Sequence, residues 1–226
     1  MSAKTFITIL IVNAVIIAIV IGSFSTSSKD AVLADAVKPD DVAERNYITD
    51  SVRVVLDDDQ AVNTSLNAIK AGLSYFNPKD IQKFNDDNWR IIISKELDFT
   101  DTDYTKMSDA EKDRIKSFIN VETKIVQIRA DKNNDGYIKE QTVICMCRFI
   151  DYINGYMSSL PEYEALVEKY PGYVEYRYFG TDRIISGANT DRFALMMRDY
   201  LMNEDYVLQY YPEVFGYFEE RFPQSE

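Results

Sequence analysis

The sequence predicts an α+β domain, mainly helical with a small β-sheet and preceded by one N-terminal hydrophobic helix. Three observations carry this. Residues 89–94 (WRIIIS) and 121–130 (VETKIVQIRA) have strand character inside a chain otherwise spaced for helices. From Val143 onward the pattern is helical, apart from an irregular tyrosine-rich crossing between Tyr170 and Asn189. Residues 6–22 (FITILIVNAVIIAIVIG) are broken only by Thr8 and Asn13 and are apolar all round, which a partly solvated helix of a soluble domain would not be.

That first run is slightly shorter than the roughly 20 residues that span a bilayer and slightly longer than a common signal-peptide core. Lys4 precedes it and acidic residues follow, which predicts export of the bulk of the chain. Residues 1–25 are therefore read as a signal-anchor or a signal peptide. The first gives a single-pass, extracytoplasmic domain and the second a secreted one. Ala34-Asp35-Ala36 would suit a signal peptidase but lies far from the run. Residues 26–50, with a Ser/Thr cluster, scattered Asp and Pro39, read as a tether, and residues 51–226 as one domain. The formal charge of −12, from 37 acidic and 25 basic residues, argues against nucleic acid and anionic lipid as partners of that domain.

Taken in order, Val52, Val54, Val55 and Leu56, then Ala61, Leu66, Ile69, Leu73 and Phe76, suit one or two amphipathic helices closing at Asn77-Pro78. Pro78 begins a short helix, and residues 89–94 form a buried strand. Residues 98–103 are a polar loop. Ser108-Asp-Ala-Glu111 has the form of a capping box, so a helix is expected over 109–118. Residues 121–130 alternate as a second strand. Asp57-Asp58-Asp59 and Asp86-Asp87 read as solvated loops or helix caps.

Asp131-Lys-Asn133-Asn-Asp135-Gly136 copies the start of a calcium loop, but Thr142 stands where the bidentate glutamate should be, and a strand rather than a helix leads in. The preferred reading is an Asn134-Asp135-Gly136 turn closing a hairpin. A weak calcium site at Asp131, Asn133 and Asp135 is compatible with it; no other cofactor is expected. Cys145 and Cys147, two apart, cannot bridge each other readily and read as small buried core residues.

Residues 141–151 (QTVICMCRFID) and 191–200 (DRFALMMRDY) invite comparison with a zinc site. A zinc-peptidase helix carries two histidines four apart, because the metal takes two neutral imidazoles on one face, with a glutamate as base for the attacking water. With residues 66–97, these segments resemble the zincin family that includes the anthrax lethal factor catalytic domain and the Pro-Pro endopeptidases, over about residues 66–222. The resemblance implies a zincin-like fold in which Ile144 and Arg148 stand at the histidine positions and Cys145 at the base. It puts Asp151 at the H-E-x-G-H-x-x-D aspartate, Asp191 at the third ligand and Leu195 at the second glutamate of E-x-F-A-E-x-F. Isoleucine has no donor atom, arginine does not deprotonate, and the chain has no histidine. The resemblance thus implies an inactive pseudo-peptidase, with Arg148 expected to pair with Asp191 or Asp151 where a metal would sit.

Twelve of the sixteen tyrosines follow residue 150, and Tyr170, Tyr173, Tyr176 and Tyr178 are the first candidates for a partner-binding face. The functional expectation is a catalytically inactive, membrane-tethered module that binds a protein or peptide near the membrane. The alternative is a structural subunit of an exported cell-surface or secretion assembly.

Overall fold

The computed structural model describes residues 30–32, 51–100, 103–130, 135–171, 173 and 189–223. Residues 1–29 and 33–50, which hold the hydrophobic run and most of the tether, lie outside them. No helix among the described residues is long and apolar enough to cross a membrane.

The expected class, mainly helical α+β with a small sheet, is what the chain forms. β1 (Asp30–Val32), β2 (Val52–Val55), β3 (Arg90–Ser94), β4 (Ser117–Asn120) and β5 (Ile125–Arg129) make one sheet in the order β1-β2-β3-β5-β4. The central β2, β3 and β5 are mutually parallel, and β1 and β4 run antiparallel at the two ends. β1 comes from the segment read as a tether, so three of those residues belong to the sheet.

Residues 52–55 form a strand, not the start of a helix. Val52 and Val54 are buried while Arg53 is exposed, the period of two that a half-buried strand shows. Asp58 then starts α1 (Asp59–Leu73), its carboxylate accepting from the Ala61 amide at 3.0 Å. Asn77 caps α2 (Pro78–Asp86) in the same way, through the Lys79 amide at 3.0 Å, with Pro78 at the first helical position where no amide is needed. Both follow the sequence reading, as does β3.

Between β3 and β5 the expectation needs revision. A 3₁₀ turn (Asp103–Lys106) follows the polar stretch, and α3 (Asp109–Lys112) is a single turn, because the chain is already paired in β4 from Ser117. The expected strand over 121–130 is half as long. Residues 121–124 turn the β4–β5 hairpin, with Lys124 in the left-handed region at φ 55. Asp135 and Gly136 do not close a hairpin; they open α4 (Asp135–Ile153). An acidic residue in the first turn complements the helix dipole, so the same dipeptide serves a helix start. Residues 131–134 lie outside the described set.

α4 is the axis of the domain. Ile138, every residue from Gln141 to Cys147, and Phe149 to Asp151 are buried. It is followed by a 3₁₀ turn (Met157–Ser159), α5 (Pro161–Lys169), α6 (Asn189–Met202), α7 (Glu204–Tyr210) and α8 (Pro212–Arg221). α1 crosses α4 at Gly72, where a Cβ would stand 2.8 Å from Thr142 Cβ and 2.9 Å from the Lys139 carbonyl, closer than any side chain allows. Phe84, Trp89 and Phe149 join α2, the start of β3 and α4, with edge-on ring pairs at 5.0 and 5.3 Å.

Candidate functional site

Arg148 lies on α4, one turn beyond Cys145 and Ile144. Its Nε donates to Asp191 Oδ1 at 2.9 Å, and both side chains are 13% exposed. Nη1 donates to the Ser117 carbonyl and hydroxyl of β4, each at 3.4 Å, and lies 3.7 Å from Cys145 Sγ. The Ser117 hydroxyl in turn donates to Gln141 Oε1 at 2.6 Å. One guanidinium therefore joins the central helix, an end strand and the first turn of α6. The ion pair expected between Arg148 and an aspartate is present, and its partner is Asp191.

Asp151 has another task. It is fully buried and accepts from the Ser158 amide at 2.8 Å and the Ser158 hydroxyl at 2.7 Å; that hydroxyl sits 3.3 Å from Thr190 Oγ1. Burial pushes the Asp151 carboxyl above its ordinary value, against the opposing pull of these hydrogen bonds. The chain reaches this arrangement by a tight reversal at the end of α4. Gly155 (φ 74) and Tyr156 (φ 60) are both left-handed, with Gly155 N bonded to the Tyr152 carbonyl at 3.1 Å and Tyr156 N to the Asp151 carbonyl at 2.8 Å. This is a Schellman closure with glycine at the position that has no Cβ penalty, and it turns Ser158 back onto Asp151.

Ile144 and Cys145 are buried. Cys145 and Cys147 are free thiols, as expected; burial raises both thiols, with Arg148 pulling the other way, so neither is a ready thiolate. The donor set does not fit zinc. Ile144 offers nothing, Arg148 is a cation, and Asp191 already faces that cation. Among the described residues no three His, Cys, Asp or Glu side chains converge to hold a metal. Of the calcium candidates, Asp131 and Asn133 lie outside the described residues. Asp135 stands in the first turn of α4, where its carboxylate accepts from the Gly136 amide at 2.8 Å.

The tyrosine face needs correction. Tyr173 is 2% exposed, donates to Asp199 Oδ2 at 3.0 Å and packs edge-on against Tyr211 at 4.4 Å, so it is a core residue. Tyr170 is half-buried against the same Tyr211 ring. Tyr176 and Tyr178 lie outside the described residues. Exposed aromatic and aliphatic surface occurs instead at Tyr156, Leu160, Leu208 and Tyr210.

Sequence reasoning passed over Ser117, Gln141 and Ser158, and a second charged group deeper in the same helix pair. Arg198 of α6 is buried and pairs with Glu140 of α4, and its Nε lies 2.9 Å from Asp199 Oδ1. Asn203 Nδ2 also reaches Asp199 Oδ1, at 3.2 Å. The available signal was polarity inside apolar runs: Gln141 in α4, and Arg198-Asp199 in a stretch otherwise made of Phe, Ala, Leu, Met and Tyr.

A sheet with antiparallel end strands, packed on a central buried helix whose neighbour presents Asp191, is a zincin-like α+β fold. The comparison of structures agrees: a Pro-Pro endopeptidase from Paenibacillus alvei matches at a TM-score of 0.57 over 76% of this chain and 97% of its own, with 13% sequence identity. No protein-family model and no curated protein sequence matches the chain.

Proposed function

We propose that the domain is a catalytically inactive metallopeptidase-like module, exported and tethered by residues 6–22, that binds a protein or peptide beside Arg148, Asp191 and β4 without cleaving it. The observation that carries this reading is the Arg148–Asp191 ion pair. By the resemblance to the zincin helices, these are the positions of a histidine ligand and the third, acidic ligand, so an organic cation stands in for the divalent one. A zincin-like fold whose structural neighbour is an endopeptidase supports a peptide as ligand, because strand and pocket contacts hold a peptide independently of the metal. Two features support the inactive reading: Cys145 is buried with a raised thiol, and the Asp191 carboxylate is engaged by Arg148.

The test is metal content with peptide turnover on one sample. The chain is purified without chelator, challenged with zinc and with calcium, weighed for bound metal by mass spectrometry, and passed over a peptide array read for both capture and cleavage. No stoichiometric zinc, with capture and no change in peptide mass, is the expected result. One zinc per chain, or cleavage that a chelator abolishes, would overturn the reading. A chain that self-associates at micromolar concentration and captures no peptide would point to the structural-subunit alternative.

A further inference from the structure

α4 and α6 lie antiparallel, as their partners show: Arg148 meets Asp191, and about two turns away Glu140 meets Arg198. The polarity reverses between the two pairs. α4 supplies the cation at one and the anion at the other, and α6 does the opposite. Between them the helices carry apolar side chains, among them Ile144, Cys145, Ala194 and Leu195, all buried. An apolar seam of this kind is tolerant of sliding and of reversal, because dispersion and burial are not directional.

The charges do decide it. Laying α6 parallel to α4 would set Arg148 near Arg198 and Glu140 near Asp191. Sliding it two turns along the antiparallel direction would bring Glu140 against Asp191. Each alternative desolvates like charges together, whereas the observed docking satisfies both pairs. We infer that the Glu140–Arg198 and Arg148–Asp191 pairs form a direction-and-register code that seats α6 on α4 in one way only. The Tyr173 and Asn203 hydrogen bonds to Asp199 fix the carboxylate that lies beside Arg198 at the inner end of that code. The inference holds whether or not the domain binds a peptide.

The decisive variant exchanges the outer pair, Arg148→Glu with Asp191→Lys, in the full chain. Both pairs then remain complementary, but at these four positions α4 carries two anions and α6 two cations, so the reversed docking satisfies both pairs as well. Methyl-labelled methionine is the reporter, because Met196 and Met197 lie buried on α6. The native chain should give one resonance for each. The exchanged chain is expected to keep its unfolding midpoint within about 5 °C, given that about 1 kcal/mol moves a domain of this size by 2–4 °C, while those resonances double. A single sharp set at a native midpoint would overturn the proposal and leave the pairs as ordinary stabilising contacts. Should the exchanged chain not fold, the neutral chain Glu140→Gln, Arg148→Gln, Asp191→Asn, Arg198→Gln removes both pairs, and there too a single set of resonances overturns it.

Discussion

Arg148 touches three elements through one side chain, which makes it the residue whose loss should be felt most widely at the site. Arg148→Met keeps the length of the side chain while leaving Asp191 without its cation; the expected cost is about 2–3 kcal/mol, read by urea denaturation. A loss below roughly 0.5 kcal/mol would mean that water already screens the pair. Asp151 gives a different signature. Its carboxyl is raised by burial above the ordinary 3.8, so the folded state holds its proton more tightly than the unfolded state does. Stability from this group is therefore greatest at low pH and declines as pH climbs from about 3.8 through the raised value. Asp151→Asn can still accept from the Ser158 amide, and it should flatten that decline; thermal midpoints between pH 3.5 and 7, compared for the two chains, check it. The sequence made Arg148 and Asp191 visible because a charge at a ligand position is conspicuous. It did not reveal Ser117 or Ser158, since a serine's role depends on which distant backbone folds onto it.

The helices that were legible announce themselves at their ends. Asp58 and the Asn77-Pro78 pair are stop-and-start signals of local chemistry, and α1 and α2 begin where those signals stand. Where signals conflicted, tertiary pairing won. The Ser108 box yields one turn because β4 claims the chain at Ser117, and the valines of β2 were hidden by the helical spacing that follows them. Asp135-Gly136 shows a limit of dipeptide reasoning, because a turn and the first turn of a helix ask for the same residues. Tyr173 was misplaced for a related reason: a tyrosine with a buried acid to bond is as content in a core as on a surface. At the level of contact between elements, Gly72 is a position where a single methyl should be felt. Gly72→Ala should force α1 off Thr142 and the Lys139 carbonyl, costing about 1–3 kcal/mol despite its better helix propensity. A thermal midpoint equal to or above the native one would show that α1 shifts freely.

For the molecule as a whole, the class could be read from periodicity, but the order β1-β2-β3-β5-β4 could not, because strand order depends on crossovers that leave no local mark. The zincin-like arrangement offers a test of the register on which the proposed function rests. In the combined variant Ile144→His, Cys145→Glu, Arg148→His, two imidazoles four apart would face Asp191 across the space Arg148 now bridges. One zinc per chain is expected by mass spectrometry; a chain that keeps its native circular dichroism yet takes up none would discard that alignment. α4 is enclosed by α1, α6, β4 and β5, with eleven of its residues buried, so no outer element can lift away and leave its backbone wet on all sides. In deuterated water its amides should exchange last and together, only when the domain unfolds as a unit, and their rate would read the global free energy directly.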